Sequence, residues 1–224
     1  MTVSVAVMAH PSRRAMVDEL LEQLDRPAEV VWDRVNDRHD TGLRCLEAFD
    51  AQASHHLVIQ DDVVPCRDLV AGTEQALEAV PAGCPLSLYV GRVRPFARAV
   101  ERAVATAEGA SFITMKGAYW GPALVFPTDT LPELIDWFSA SAVTNYDRRC
   151  SRFYEACKVR CWYTWPSLVE HRGDESLVWK NTIHRRAYRA HTGSGLDVDW
   201  SGDVIHMRGT AQLDRQRQRR AAVR

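Results

Sequence analysis

Apolar side chains fill nearly every position from Val3 to Ala9, and His10-Pro11 follows at once. A run without alternation predicts a strand covered on both faces. The spacing then becomes helical: Ala15-Met16, Leu20-Leu21 and Leu24 recur on one face, with Ser12 expected as the cap and Pro27 as the stop. Glu29-Val30-Val31-Trp32 predicts a short second strand closing at Asp33-Arg34. Thr41 is expected to cap a helix that turns Leu43, Leu46, Ala48 and Phe49 inward. His56-Leu57-Val58-Ile59 predicts a third buried strand, ending at Gln60-Asp61-Asp62, before a helix over 68–80 and a strand over 86–90.

This strand-helix alternation implies a parallel, right-handed sheet with helices on both faces. Such sheets bind ligands beyond the carboxyl ends of their strands. Three polar clusters fall there: His10-Pro11-Ser12-Arg13-Arg14, Asp33-Arg34 and Asp61-Asp62. The second half predicts a helix over 95–108, a strand over 118–126, and a helix capped by Thr128 through Leu131, Leu134, Ile135, Trp137 and Phe138. A helix over 146–158 and a strand over 159–165 lead into Pro166-Ser167-Leu168-Val169-Glu170-His171. With no repeat or low-complexity linker, residues 1–192 are expected to form one domain. Thr192-Gly193-Ser194-Gly195 reads as an ordinary surface loop in preference to a hinge. Beyond Gly193 the apolar pattern fades, so 193–224 reads as a C-terminal extension. It ends in an exposed, mobile tail carrying Arg215, Arg217, Arg219, Arg220 and Arg224.

At 46% hydrophobic and 25% charged residues, the composition excludes disordered and collagen-like chains. No stretch reaches the roughly 20 apolar residues that cross a bilayer. No basic region precedes Val3, which argues against a signal peptide and for an intracellular, cytoplasmic protein. A net charge of −1 gives no global attraction to nucleic acid. Of 28 basic residues only Lys116, Lys158 and Lys180 are lysines, and Arg is the better bidentate phosphate binder. The six cysteines contain no CxxC pair and are expected to be reduced. Cys150, Cys157 and Cys161 have helix-compatible spacing, read as small buried side chains on one helix face in preference to a zinc site.

Asp61-Asp62 is the sharpest chemical signal, because an apolar strand delivers two adjacent carboxylates to a ligand-facing edge. Oxygen ligands suit Mg²⁺ or Mn²⁺, which neutralise a diphosphate. His171 offers an imidazole to complete the coordination of a borderline ion. Arg13, Arg14, Arg34 and Arg44 are candidate phosphate or nucleobase contacts near strand ends and helix starts. Trp120-Gly121-Pro122 pairs an aromatic plane with a backbone that a ligand can approach, although a core Trp fits equally. Asp147, at a predicted helix start, is a candidate general base for a hydroxyl and also a candidate N-cap.

Taken in order, several short motifs resemble a GT-A-type nucleotide-sugar glycosyltransferase. They are Val5-Ala6-Val7-Met8-Ala9-His10-Pro11-Ser12-Arg13, Trp32-Asp33, Thr41-Gly42, Val58-Ile59-Gln60-Asp61-Asp62-Val63 and Pro166-Ser167-Leu168-Val169-Glu170-His171. The acidic and late motifs are similar to family 25 and related bacterial sugar transferases. Small glycosyltransferases encoded by actinobacteriophages are the nearest kind, over about residues 3–180.

The resemblance implies a mixed, mainly parallel, Rossmann-like α/β sheet flanked by helices. A donor half would span about 1–92 and an acceptor half about 93–192. Ala9, His10, Pro11, Arg13, Asp33, Thr41, Gly42, Arg44 and Asp61 would surround a nucleoside-diphosphate sugar donor. Asp62 would be the metal-binding last acid of a DXD-type motif and His171 the late ligand of Mn²⁺ or Mg²⁺. Trp120 and Gly121 would face the acceptor, and Asp147 would be the base of an inverting transfer. The first acidic position is Gln60, so either Asp61 supplies the missing metal contact or the ion is held weakly.

A phage-encoded enzyme would work in the host cytoplasm on a virion protein, a hydroxylated DNA base or a glycan. The arginine tail is a weak argument for DNA. Two other classes stay open: a metal-dependent phosphohydrolase or nucleotidyltransferase, and a non-catalytic nucleotide-sugar-binding module. The oligomeric state is not legible.

Overall fold

Val5, Ala6, Val7 and Ala9 are all buried in β1 (Val3–Ala9), as a strand apolar on successive positions requires when both sheet faces are covered. The computed structural model describes residues 1–92, 97–105, 109–143, 145–172 and 185–207, with the side chains of 97–99 outside that description. The arginine tail, which bears the argument for DNA, lies outside the described residues, as do both ends of the predicted 95–108 helix, whose middle is helical over Ala97–Val104.

After β1 come α1 (Arg14–Gln23), β2 (Glu29–Trp32), α2 (Arg38–Glu47), β3 (His55–Gln60), β4 (Val63–Pro65), α3 (Leu69–Leu77) and β5 (Leu86–Ser87). The second half holds α4 (Ala97–Val104), β6 (Ala110–Met115), β7 (Ala123–Pro127), α5 (Leu131–Ala140) and α6 (Tyr146–Ala156). It closes with β8 (Cys161–Thr164), β9 (Val169–His171) and β10 (Asp203–His206). Eight strands form one mixed sheet in the order β10-β6-β8-β5-β7-β3-β1-β2, and β4 pairs separately with β9. The pairs β1–β2, β1–β3, β5–β8 and β10–β6 are parallel, while β3–β7, β5–β7 and β6–β8 are antiparallel. The fold is therefore the mixed, mainly parallel, Rossmann-like α/β arrangement. No helix among the described residues is long and apolar enough to cross a membrane.

Strands β2 and β3 flank β1 on opposite sides, so the winding reverses at β1 and opens a crevice beyond its carboxyl end. Backbone bonds bring the three strand ends together there: Asp33 donates to the Ala9 carbonyl (2.7 Å) and Asp61 to the Met8 carbonyl (3.2 Å).

Several local expectations change. Ser12 lies inside a 3-10 turn, Pro11–Arg13, whose cap is the His10 ring accepting from the Ser12 N–H. Asp37, and not Thr41, caps α2 by accepting the His39 N–H, which leaves Thr41 a full turn into the helix. Thr128 opens a 3-10 turn instead of capping α5, and Asn145 holds the N-cap position of α6, which puts Asp147 in its first turn. The 86–90 segment ladders over two residues, because Val90 then bonds the Ser167 hydroxyl and Tyr188. The 118–126 strand starts at Ala123, since Tyr119 N–H bonds the Tyr163 hydroxyl and Pro122 bonds Gln60.

Residues 193–207 pack on the expected 1–192 domain, and β10 within them joins its sheet. Arg67 bonds the backbone of Gly193 and Gly195, and β10 ladders onto β6. Gly195 also packs so closely on Gly72 that a Cβ at Gly72 would lie 2.6 Å from it, which makes this loop a tethered contact and not a hinge. Cys150 and Cys161 are core residues while Cys157 is exposed at the end of α6, so the three do not share one buried face.

Candidate functional site

Each part of the site is placed by a strand end. β3 delivers Asp61 and Asp62 beside the turn that follows β1, and both residues are buried. Asp61 is fully engaged: Oδ2 accepts the His10 N–H (2.7 Å) and Oδ1 accepts Arg13 Nη1 (2.8 Å). The same Arg13 nitrogen donates to Asp62 Oδ2, also at 2.8 Å. Burial pushes the Asp61 carboxyl up, against the opposing pull of the His10 N–H and Arg13. Burial also disfavours the Arg13 charge, but the two carboxylates outweigh it and raise the Arg13 pKa.

His171 arrives through the β4–β9 ladder, whose register sets Val63 opposite His171 and so seats the imidazole beside Asp62. Arg172 N–H donates to the Asp62 carbonyl (2.8 Å), which fixes that register. His171 Nδ1 lies 2.6 Å from the Arg172 carbonyl. A carbonyl only accepts, so Nδ1 carries a proton, and in the neutral form of the ring Nε2 presents a lone pair. That lone pair faces Asp62 Oδ2 at 3.5 Å. Asp62 Oδ1, in turn, is buried without a hydrogen-bond partner.

Two acceptors facing each other beside an orphaned carboxylate oxygen make a place for a cation. A ligating histidine that gives its other N–H to a carbonyl is the usual supporting arrangement. Asp62 and His171 therefore fit a divalent ion, whereas Asp61 has both oxygens committed to the protein. Among the described residues no group of three His, Cys, Asp or Glu side chains is placed to hold a metal alone. A Mg²⁺-type ion takes one or two carboxylates and completes its shell with water and ligand phosphates.

Next to Asp61 in sequence, Gln60 belongs to a second cluster, around Gly121. A Cβ there would lie 3.1 Å from Gln60 Nε2, 3.3 Å from Asp147 Cβ and 3.5 Å from Tyr146 Cδ1. Gln60 and Asp147 thus both approach Gly121, where a Cβ would crowd them. Burial raises the Asp147 pKa, partly offset by its own first-turn backbone contact and by the Arg38 and Arg185 charges. A carboxylate with a raised pKa is a better proton acceptor than an ordinary one.

The structure does not bring every expected residue to this place. Ala9 is buried strand backbone, and Pro11 is exposed at the start of the 3-10 turn. Asp33 Oδ1 accepts the Val35 and Asp37 N–H groups and holds a turn. Arg44 reaches Asp40 and the Trp32 carbonyl, and Arg34 also pairs with Asp40. Arg14 lies over the Trp32 ring, 4.5 Å from its centre. Thr41 and Gly42 are core residues: a Cβ at Gly42 would come 2.7 Å from Tyr146 Cδ2, so this glycine serves helix packing and not ligand approach. Trp120 is buried, with Tyr89 and Tyr163 set edge-on to it (centres 6.5 and 5.8 Å away), which leaves little ring face for a sugar.

The sequence reading missed Glu170. Its Oε1 accepts the N–H groups of His171 (2.9 Å) and Ala187 (2.7 Å), fixing the late motif against the 185–191 segment. Its position next to His171 was the available clue. It also missed the Arg172–Glu19 ion pair (2.8 Å), for which no motif gives a signal.

No protein-family model matches the chain, and no curated protein matches it. Among solved structures, A197 from STIV is similar over 86% of this chain and 97% of its own, at 13% identity and a TM-score of 0.50. The 4-diphosphocytidyl-2C-methyl-D-erythritol synthase from Anaerococcus prevotii DSM 20548 matches over 74% of each chain at 14% identity and a TM-score of 0.41. A glycosyltransferase involved in glycosylation of the major capsid of PBCV-1 matches over 70% of this chain and 76% of its own, at 11% identity and a TM-score of 0.34. At such identities the first likeness speaks for the shared fold, and the two weaker ones carry no argument.

Proposed function

We propose that the chain is a GT-A-type glycosyltransferase that moves a sugar from a nucleoside-diphosphate donor to a hydroxyl acceptor with inversion. The observation that carries this reading is Asp62, whose buried, unpartnered Oδ1 and neighbouring His171 lone pair lie at the crevice where the sheet's winding reverses. The donor diphosphate occupies that crevice beside His10 and Arg13. Asp62 and His171 hold Mn²⁺ or Mg²⁺, whose chemistry there is to neutralise the leaving diphosphate. Asp61 serves as the tether that fixes Arg13 and the β1 turn, not as a metal ligand. Across Gly121, Asp147 takes the proton of the acceptor hydroxyl as its oxygen attacks the anomeric carbon from the face opposite the diphosphate. Gln60 faces the same space and orients the acceptor or the sugar through its amide. The acceptor is a hydroxyl on a protein, a modified DNA base or a glycan, and transfer assays on the three distinguish them.

A melting-temperature screen of nucleotide-sugars with and without Mn²⁺ tests the donor assignment. A ligand at about 100 times its Kd adds roughly 2.7 kcal/mol to native stability. For a chain of this size that is an upward shift of about 5–10 °C. A shift with nucleoside triphosphates and none with any nucleotide-sugar would overturn the donor assignment in favour of a nucleotidyltransferase or phosphohydrolase.

A further inference from the structure

Arg13 does more than stand ready for a phosphate. One of its nitrogens binds both Asp61 and Asp62, and all three side chains are about nine-tenths buried, at 10, 6 and 11% exposure. Its guanidinium already neutralises part of the acid pair where a divalent ion would act. Building on the assignment of Asp62 and His171 to such an ion, we propose that Arg13 is a resident counter-ion that cation and donor displace together. Cation entry moves the guanidinium off Asp62, and the freed group turns to the donor diphosphate.

Charge drives this exchange. Arg13, Asp61 and Asp62 together carry one net negative charge, so the crevice repels a diphosphate while the guanidinium stays on the pair. A divalent ion at Asp62 reverses the local sign, but it then shares that carboxylate with Arg13. At such separations in a partly dry site, two cations repel strongly. Moving Arg13 relieves the repulsion, and a diphosphate gives the guanidinium a bidentate partner in place of the one it gave up. The ion competes with the guanidinium for Asp62, and a diphosphate that accepts the guanidinium lowers the cost of that exchange. Cation and nucleoside diphosphate therefore each strengthen the binding of the other, as linkage requires.

The geometry allows the movement. Arg13 is the last residue of the Pro11–Arg13 turn and precedes α1, with φ −112° and ψ 24°, so its swing does not require a helix to unwind. Asp61 Oδ1 remains a pivot, because Asp61 is held independently through the His10 N–H. The arrangement assigns different tasks to two adjacent acids: Asp61 keeps hold of Arg13, and Asp62 passes from the guanidinium to the ion.

Mn²⁺ binding, read from the loss of the free-ion paramagnetic resonance signal, tests the exchange without any activity measurement. The full chain and its Arg13→Gln variant are titrated with Mn²⁺ alone, then with UDP, GDP, ADP, CDP and dTDP in turn. The variant is expected to bind Mn²⁺ alone tighter by on the order of tenfold or more, and to lose most of the enhancement that a diphosphate gives the wild type. Equal or weaker Mn²⁺ binding by the variant overturns the exchange and leaves the cation site standing. Absence of Mn²⁺ binding in both chains defeats the cation assignment itself, and the exchange with it. Should Arg13→Gln fail to fold, nitrogen-15 spectra of the wild-type arginine side chains give the second readout. The Arg13 guanidinium resonance is expected to shift when Mg²⁺ and the nucleoside diphosphate are added together. A resonance that stays in place at saturation overturns the exchange.

Discussion

Replacing Asp61 with alanine separates the tether from the chemistry. Its carboxylate accepts the His10 N–H at 2.7 Å and Arg13 Nη1 at 2.8 Å, and its side chain is 6% exposed. Each charge-assisted bond of this kind is worth about 1.5–3 kcal/mol. Burial of the carboxylate, which raises its pKa, offsets part of that gain, and Arg13 keeps Asp62 as a partner after the substitution. The expected net loss is therefore about 2–4 kcal/mol, below the full cost of stranding a buried charge. For a chain of 224 residues this lowers the melting temperature by about 4–16 °C. Asp62→Ala removes the Arg13 bond at Oδ2, but it also removes the buried, unpartnered Oδ1 and the repulsion between the two acids and leaves Arg13 on Asp61, so its net loss should be about 1 kcal/mol, smaller than that of Asp61→Ala. Thermal melts and urea midpoints on the two variants decide the matter. If Asp61→Ala melts with the wild type, or Asp62→Ala is the less stable of the two, the division of labour between the acids is wrong.

Gly42→Ala forces a Cβ to 2.7 Å from the buried Tyr146 ring and should cost about 1–3 kcal/mol, read as a lower urea midpoint; an unchanged midpoint contradicts the packing role. As the proposed base Asp147 would act deprotonated, and its pKa is raised by burial. Activity should therefore be complete above that raised value and fall as pH drops through it, on an acid limb lying above 3.8, the ordinary value for the group. Asp147→Asn should lose about 10²–10⁴-fold in turnover, and persistence of wild-type turnover would remove Asp147 from the base role. Burial lowers the pKa of His55 and His56, whose unfolded forms take up a proton near 6.5. Their contribution is intact above 6.5 and lost as pH falls toward the depressed folded values, so the urea midpoint should drop between neutral and mildly acidic pH. His56→Gln should flatten that slope, and an unchanged slope would place the acid sensitivity elsewhere.

The first half of the fold was legible because its strands carry an uninterrupted signal. Val3–Ala9 and the buried core of β3 are apolar on both faces, and the helices between them show an apolar stripe. β6 passed unnoticed although Ser111, Phe112, Ile113 and Thr114 are all buried, because it follows a helical pattern without a turn signal strong enough to separate the two. β10 is a short, partly exposed edge strand, too weakly patterned to stand out. The ladder that seats His171 beside Asp62 consists of two three-residue strands about a hundred positions apart, and no local periodicity encodes such a pairing. Residue chemistry marked Asp61-Asp62 as a candidate site, but their different hydrogen bonding depends on which oxygens the His10 N–H and Arg13 reach, which is a property of tertiary geometry. Thr41 and Gly42 were misplaced for a related reason. A small residue near a helix start looks the same in sequence whether it admits a ligand or, as here, the Tyr146 ring.

The most direct test of the whole account is release of nucleoside diphosphate from a panel of UDP-, GDP-, CDP- and dTDP-sugars, followed in the presence of Mn²⁺ for the wild type and Asp62→Ala. The account predicts slow release from at least one nucleotide-sugar by the wild type without an acceptor, faster release with the correct hydroxyl acceptor, and loss of both in a folded Asp62→Ala chain. Full turnover by Asp62→Ala with a chelator present would contradict the metal-assisted mechanism. Consumption of nucleoside triphosphates or phosphodiesters, with every nucleotide-sugar left intact, would contradict the transferase itself.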